Sequence, residues 1–195
     1  LLPVWKYPGV LRHVFSAGAR RYSERIRQKK QPFRAGVSAL KIHRLLKSEL
    51  ILLDMEEKDK EGVIKRLTER LKEQGLVADA EAFVGDVMKR EALGSTAMGN
   101  GLAFPHARTK ATENLILAFG RLLEPVAFSQ EKDGKAVRMV FLLGTPLKET
   151  AAHLEVLTAL GRLVADKKVR KGILSAKTPE AVLGGIATAE SADEE

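Results

Sequence analysis

No cysteine occurs anywhere in the 195 residues. Disulfides, thiolate zinc sites and cysteine nucleophiles are therefore excluded. The absence suits a reducing compartment, and a cytoplasmic location is the expectation. Long apolar runs are missing too: no stretch approaches the roughly 18–20 residues that a membrane-spanning helix needs. The first ten residues hold Lys6, two prolines and a glycine, and they lack the apolar core of a secretory leader. Acid is scarce at one end. Residues 1–40 carry nine Lys or Arg against the single acid Glu24, whereas residues 41–195 carry 24 of each sign. The net charge of +8 thus belongs to an arm, and nucleic-acid binding by the core has little support.

What is present organises into three parts. Residues 1–36 form a basic N-terminal arm. Leu11, Val14, Phe15, Tyr22 and Ile26 share one helical face amid arginines and lysines, until Pro32 and Gly36 break the pattern. A solvated helical arm is the simplest reading; weak attachment to an anionic membrane surface is the alternative. Residues 37–190 hold the material of a folded domain, 45% of the whole chain being hydrophobic. Residues 191–195 make an acidic tail.

Within the domain, residues 37–46 predict a short helix and residues 50–53 a buried strand. Val63, Ile64, Leu67 and Leu71 recur at helical spacing and stop at Gly75, a left-handed cap candidate. Asp79 is placed to cap a second helix carrying Phe83, Val84, Val87 and Met88. A glycine-rich stretch, 94–101, leads into the short apolar strand that His106 is expected to end. Residues 115–120 and 137–143 predict two strands joined by a turn at Asp133-Gly134. Residues 150–164 predict a helix facing inward through Leu154, Leu157, Leu160 and Val164, and Pro179 opens a last one. Strands mixed with helices indicate an α/β layered domain.

His106 is the most informative residue. Pro105 before it fixes its own φ and restricts Phe104, and the glycines let backbone approach a ligand or partner closely. Such a build can offer an imidazole to an incoming group. The loop matches neither the phosphate-binding G-x-x-x-x-G-K-[ST] pattern nor the dinucleotide G-x-G-x-x-G fingerprint, so nucleotide binding has no support.

The run R-E-A-L-G-S-T-A-M-G-N-G-L-A-F-P-H-A-R, residues 90–108, closely resembles the active-site signature of type-2 enzyme IIA domains of the sugar phosphotransferase system. These are the fructose, mannitol and nitrogen-regulatory enzymes IIA. The likeness extends to L-I-L-L-D at 50–54, D-G-K-A-V-R-M-V-F-L-L at 133–143 and H-L-E-V-L-T-A-L at 153–160. It implies an α/β fold with a mixed central β-sheet flanked by helices on both faces. It also implies a phosphohistidine at His106, supported by Arg90 and by a second histidine, His153. The implied donor is the histidine phosphocarrier HPr or its nitrogen-branch paralogue, and the implied acceptor a cysteine of an enzyme IIB domain. No metal or cofactor is implied. The chain departs from the family at Ala97, Ala107, Phe104 and Arg138, the last being expected to bear on donor docking.

The chemistry suits these residue types. A neutral imidazole is a competent nucleophile near neutral pH. Arg90 can present a permanently charged fork to phosphoryl oxygens, His153 can donate a hydrogen bond, and Ser95 and Thr96 can contribute hydroxyl or backbone groups. Taken singly, Arg90 reads as a solvated helix-end cation and His153 as a helix-surface residue. Two functions stay open: a phosphoryl carrier serving sugar transport, or a nitrogen-branch regulatory module switched by phosphorylation of His106.

Overall fold

The computed structural model describes residues 40–129 and 136–192. The basic arm, the Asp133-Gly134 turn and residues 193–195 of the acidic tail lie outside the described residues. The elements are helix α1 (Ile42–Leu45), strand β1 (Ile51–Met55), helices α2 (Lys60–Glu73) and α3 (Ala80–Ala92), and strands β2 (Ala97–Gly99), β3 (Leu102–Ala103), β4 (His106–Thr109), β5 (Ile116–Ala127) and β6 (Ala136–Pro146). Helices α4 (Thr150–Leu163), α5 (Lys167–Ser175) and α6 (Pro179–Ala192) follow. No helix of the described residues is long and apolar enough to cross a membrane.

The local signals behave as their chemistry dictates. Asp59 and Asp79 accept hydrogen bonds from Gly62 N and Ala82 N, capping α2 and α3. Gly75 adopts φ +69°. The bonds Leu76 N to Leu71 O and Gly75 N to Lys72 O then close α2 in a Schellman turn. Among the described residues the helix expected within 37–46 spans only Ile42–Leu45. The Glu190 carboxylate on α6 accepts from Ile42 N at 2.6 Å and His43 N at 3.1 Å, so a distant side chain sets where α1 starts.

Six strands form one mixed sheet in the order β1-β5-β6-β3-β2, with β4 also paired to β6. The near-continuous apolar runs of β5 and β6 pair antiparallel and are buried on both faces over their central residues. Two glycines show how closely helices seat on one face. A Cβ at Gly120 would meet the Met55 sulfur at 2.5 Å and Leu67 of α2 at 3.3 Å, and one at Gly144 would meet the Phe83 ring of α3 at 2.6 Å. On the other face, buried Arg121 of β5 donates to Ile173 O, Leu174 O and Ala176 O at the end of α5, and to Asp54 Oδ1 at 2.7 Å. Thr145 of β6 meets α4 there through His153. Helices therefore cover both faces, as expected for this α/β class.

Gly144 supports a direct prediction. Its Cβ would also lie 2.7 Å from Ile116, so both obstacles are packed core atoms. Gly144→Ala is expected to destabilise the domain by about 1–3 kcal/mol, the usual cost of overpacking. A lowered urea midpoint with an unchanged slope would show it.

Two sequence expectations need correction. On α4 Leu160 is buried as expected, as is Val164 at its C-terminal cap, but Leu157 is half-buried and Leu154 is 59% exposed, and the inward side carries His153, Val156 and Leu163 instead. The inward stripe packs Val156, Leu160 and Leu163 into the core, and its histidine is tolerated there because Thr145 satisfies the ring. Secondly, His106 opens β4 rather than ending a strand. Helix α5 was not expected: among its nine residues only Ile173 is buried, and its local signal is the cap Asp166, whose side chain accepts from Lys168 N. The guanidinium of Arg138 donates to Leu122 O and Leu123 O, where the β5–β6 register shifts.

Candidate functional site

The parallel pairing of β4 on β6 places His106 beside Leu143 and Arg108 beside Thr145. Strand β3 runs along the same edge of β6, with Leu102 against Met139 and Ala103 against Val140. Between the two short strands, Pro105 accepts from Leu143 N and so continues the ladder through its carbonyl. Ahead of them, Gly99, Asn100 and Gly101 all adopt positive φ (84°, 53° and 76°). That conformation is cheap only for glycine and tolerable for asparagine. The tight turn returns the chain from β2 to β3 and aims the Phe104–His106 segment along β6.

Three predicted residues converge. Nδ1 of His106 lies 2.7 Å from the Phe104 carbonyl oxygen, and Nε of Arg90 lies 3.1 Å from His106 Nε2. A carbonyl only accepts and a guanidinium only donates. Both partners therefore demand the same tautomer: the proton sits on Nδ1 and Nε2 bears the lone pair. The last turn of α3 supplies Arg90, whose Nη1 also donates to Gly94 O at 3.0 Å. From α4, the His153 ring approaches His106 edge-on, with centroids 5.1 Å apart. Its Nδ1 lies 3.0 Å from Thr145 Oγ1. Arg108 is exposed, and its Nη2 donates to Leu147 O.

Ser95 and Thr96 stand at the turn after α3, but their groups are engaged otherwise. Ser95 Oγ donates to Phe128 O at 3.0 Å and accepts from Ala97 N, so its one proton is spent on the fold. Thr96 N donates to both carboxylate oxygens of Glu91, at 3.2 and 3.4 Å. The Thr96 hydroxyl oxygen is buried and has no hydrogen-bond partner among the described residues.

Glu91 and Lys60 are residues that the sequence reading missed. The Glu91 side chain is buried, and Lys60 Nζ lies 3.4 Å from its Oε2 and 3.4 Å from Phe128 O. This pair ties α2, α3 and the turn together one residue from Arg90. Glu91 was visible as the second letter of the 90–108 run, whereas nothing in the sequence points from Lys60 to it.

Burial, opposed by the Phe104 carbonyl and reinforced by the Arg90 charge, pushes the His106 pKa below its ordinary value. His153 is lowered as well, first by burial, then by His106, Arg108 and Arg90. Both rings are therefore neutral at neutral pH. The sign for stability follows. With the native pKa below the unfolded value near 6.5, what each histidine contributes is complete above about pH 6.5. It is lost as pH falls through the native pKa. Histidine NMR titration is expected to place both midpoints below the free-imidazole value, with urea stability declining as pH drops below that value. Midpoints at or above it would contradict this picture.

Comparison with known proteins places this arrangement. Residues 44–188 match the family described as the phosphoenolpyruvate-dependent sugar phosphotransferase system, EIIA 2. The chain is 33% identical over 144 residues to the fructose-specific EIIABC component of Bacillus subtilis, covering 74% of this chain but only 22% of that protein. The crystal structure of nitrogen regulatory protein IIA-Ntr from Neisseria meningitidis superposes with a TM-score of 0.67 at 33% identity, over 74% of this chain and 98% of that one. The complex of enzyme IIA mannitol with phosphorylated enzyme IIB from Escherichia coli holds a chain similar at 27% identity and a TM-score of 0.63. That match covers 74% of this chain and 99% of that one. A glycine-rich turn, an arginine and two histidines on this mixed sheet thus sit within a family match spanning most of the chain: it belongs to the type-2 enzyme IIA family of the sugar phosphotransferase system.

Proposed function

We propose that His106 Nε2 accepts a phosphoryl group from an HPr-like phosphohistidine protein and passes it to a cysteine of an enzyme IIB. The observation that carries the reading is the pair of bonds on the His106 ring, Nδ1 to Phe104 O and Arg90 Nε to Nε2. The proton is held at the far nitrogen, and the lone pair faces a cation.

In the step itself, the Nε2 lone pair attacks phosphorus in line with the donor's P–N bond, which breaks as the new one forms. The His106 ring gains positive character, and its Nδ1–H leans on the Phe104 carbonyl. Arg90 can no longer donate to Nε2 once phosphorus is there. Its guanidinium turns instead to the equatorial oxygens, where a planar fork suits their geometry and charge. His153 lies close enough to add a further donor. Onward transfer reverses these motions, the cysteine thiolate displacing His106. Ser95 acts in this scheme by holding the turn. Residues 37–190 form the carrier domain, and 1–36 are an appended basic arm.

Phosphoenolpyruvate, enzyme I and HPr are expected to label the chain with phosphate that is labile in acid and stable in base. An unlabelled chain would refute the carrier reading. The likeness to IIA-Ntr over nearly that whole chain favours a second reading, in which the phosphoryl group stays and switches a docking surface. Adding enzyme IIB to the labelled chain separates the two: transport predicts loss of label to IIB cysteine, and regulation predicts retention.

A further inference from the structure

Thr145 lies on β6 in register with Arg108 and two residues beyond the partner of His106. Its side chain is fully buried. Its hydroxyl has one recorded partner among the described residues, His153 Nδ1 at 3.0 Å. A hydroxyl sealed from water must use its hydrogen or forfeit a hydrogen bond. The acceptor within reach is the Nδ1 lone pair. If the ring instead carried its proton on Nδ1, the Thr145 hydrogen would be left with nothing to meet. The hydroxyl therefore donates, Nδ1 accepts, and the proton of the neutral ring resides on Nε2. That nitrogen makes no hydrogen bond among the described residues, so it is the free donor of the ring nearest His106.

We infer that Thr145 is a positioning residue that holds His153 as the Nε2–H donor, the opposite tautomer to that of His106. Two imidazoles 5.1 Å apart are then chemically distinct. One presents a lone pair to phosphorus because the Phe104 carbonyl holds its proton. The other presents a proton to a phosphoryl oxygen because a threonine occupies its lone pair. Two identical residue types thus take the roles of nucleophile and electrostatic support, assigned by their neighbours alone. Thr145 touches no reacting atom and acts through His153. The inference rests on the phosphocarrier reading for its consequence, though the tautomer itself does not.

The test uses the full chain with 15N-labelled histidine, at a pH well above the imidazole range, and long-range 1H–15N correlation. His153 is expected to show a protonated Nε2 and a hydrogen-bonded, unprotonated Nδ1, and His106 the reverse. In Thr145→Val the His153 Nδ1 resonance should move as its donor disappears. Labelling by phospho-HPr should slow about tenfold, the worth of one neutral hydrogen bond. Thr145→Ser should restore both. A proton on His153 Nδ1 in the wild type, or Thr145→Val labelled at the wild-type rate, overturns the inference. Should Thr145→Val fail to fold, the wild-type tautomer and the Thr145→Ser rate decide the matter alone. A wild type that shows the expected tautomers but takes no label defeats the carrier reading, and the contribution of Thr145 to transfer with it.

Discussion

His106→Ala is expected to take no acid-labile phosphate from phospho-HPr while keeping its fold. The loss should be complete, because no other group at the site sets a ring-nitrogen lone pair toward a cation while a carbonyl holds the proton of the far nitrogen. The chain has no cysteine. The Ser95 hydroxyl is bonded to Phe128 O. His153 has its Nδ1 engaged by Thr145 and lacks any counterpart of the Phe104 carbonyl. His43 is bonded through Nδ1 to Glu190 at 2.5 Å, on the α1–α6 contact rather than here. Stability should change little, since His106 is only half-buried and the apolar core does not depend on its ring. Far-UV circular dichroism and a urea midpoint near that of the wild type would separate a chemical loss from unfolding. Undiminished labelling of the variant would falsify the assignment of the nucleophile.

Arg90→Ala should produce the second largest effect, slowing transfer by about 10³-fold, the lower end of what an arginine supplies to phosphoryl transfer. Its guanidinium lies against Nε2 before reaction, so it need move only locally to meet the oxygens. The effect should fall mainly on the rate of the chemical step and less on donor binding, because the oxygens acquire their in-line geometry only during transfer. Arg90→Lys should recover part of the rate, as an ammonium keeps the charge and loses the planar fork. One sign is fixed in advance. Arg90 is among the groups that depress the His106 pKa, so its removal should raise that pKa in an NMR titration. A variant with normal transfer, or with a lowered His106 pKa, would remove Arg90 from the site.

The two expectations differ in how visible they were. His106, Arg90 and the turn between them lie within one 19-residue run, and a composite motif of that length carries its own context. The cap at Asp79 and the stop at Gly75 were equally open to inspection, because each depends on atoms within a few residues. The buried stripe of α4 was not. Leu154 and Leu157 make as good an apolar face as Val156 and Leu160 when the helix is considered alone. The inward side is the one whose Val156, Leu160 and Leu163 meet the core, and its histidine is satisfied there by the Thr145 hydroxyl, eight residues upstream on a different element.

The amino-acid order by itself determined the long strands β1, β5 and β6, most helices and the candidate loop at 94–106, since these follow from short-range periodicity, capping and backbone freedom. The tertiary structure alone decided which partner meets each histidine nitrogen, which face of α4 is buried, and how Glu91 and Lys60 anchor the turn. Those outcomes depend on which donors and acceptors meet in a water-poor space, and their separation in the chain bears no relation to their separation in the fold.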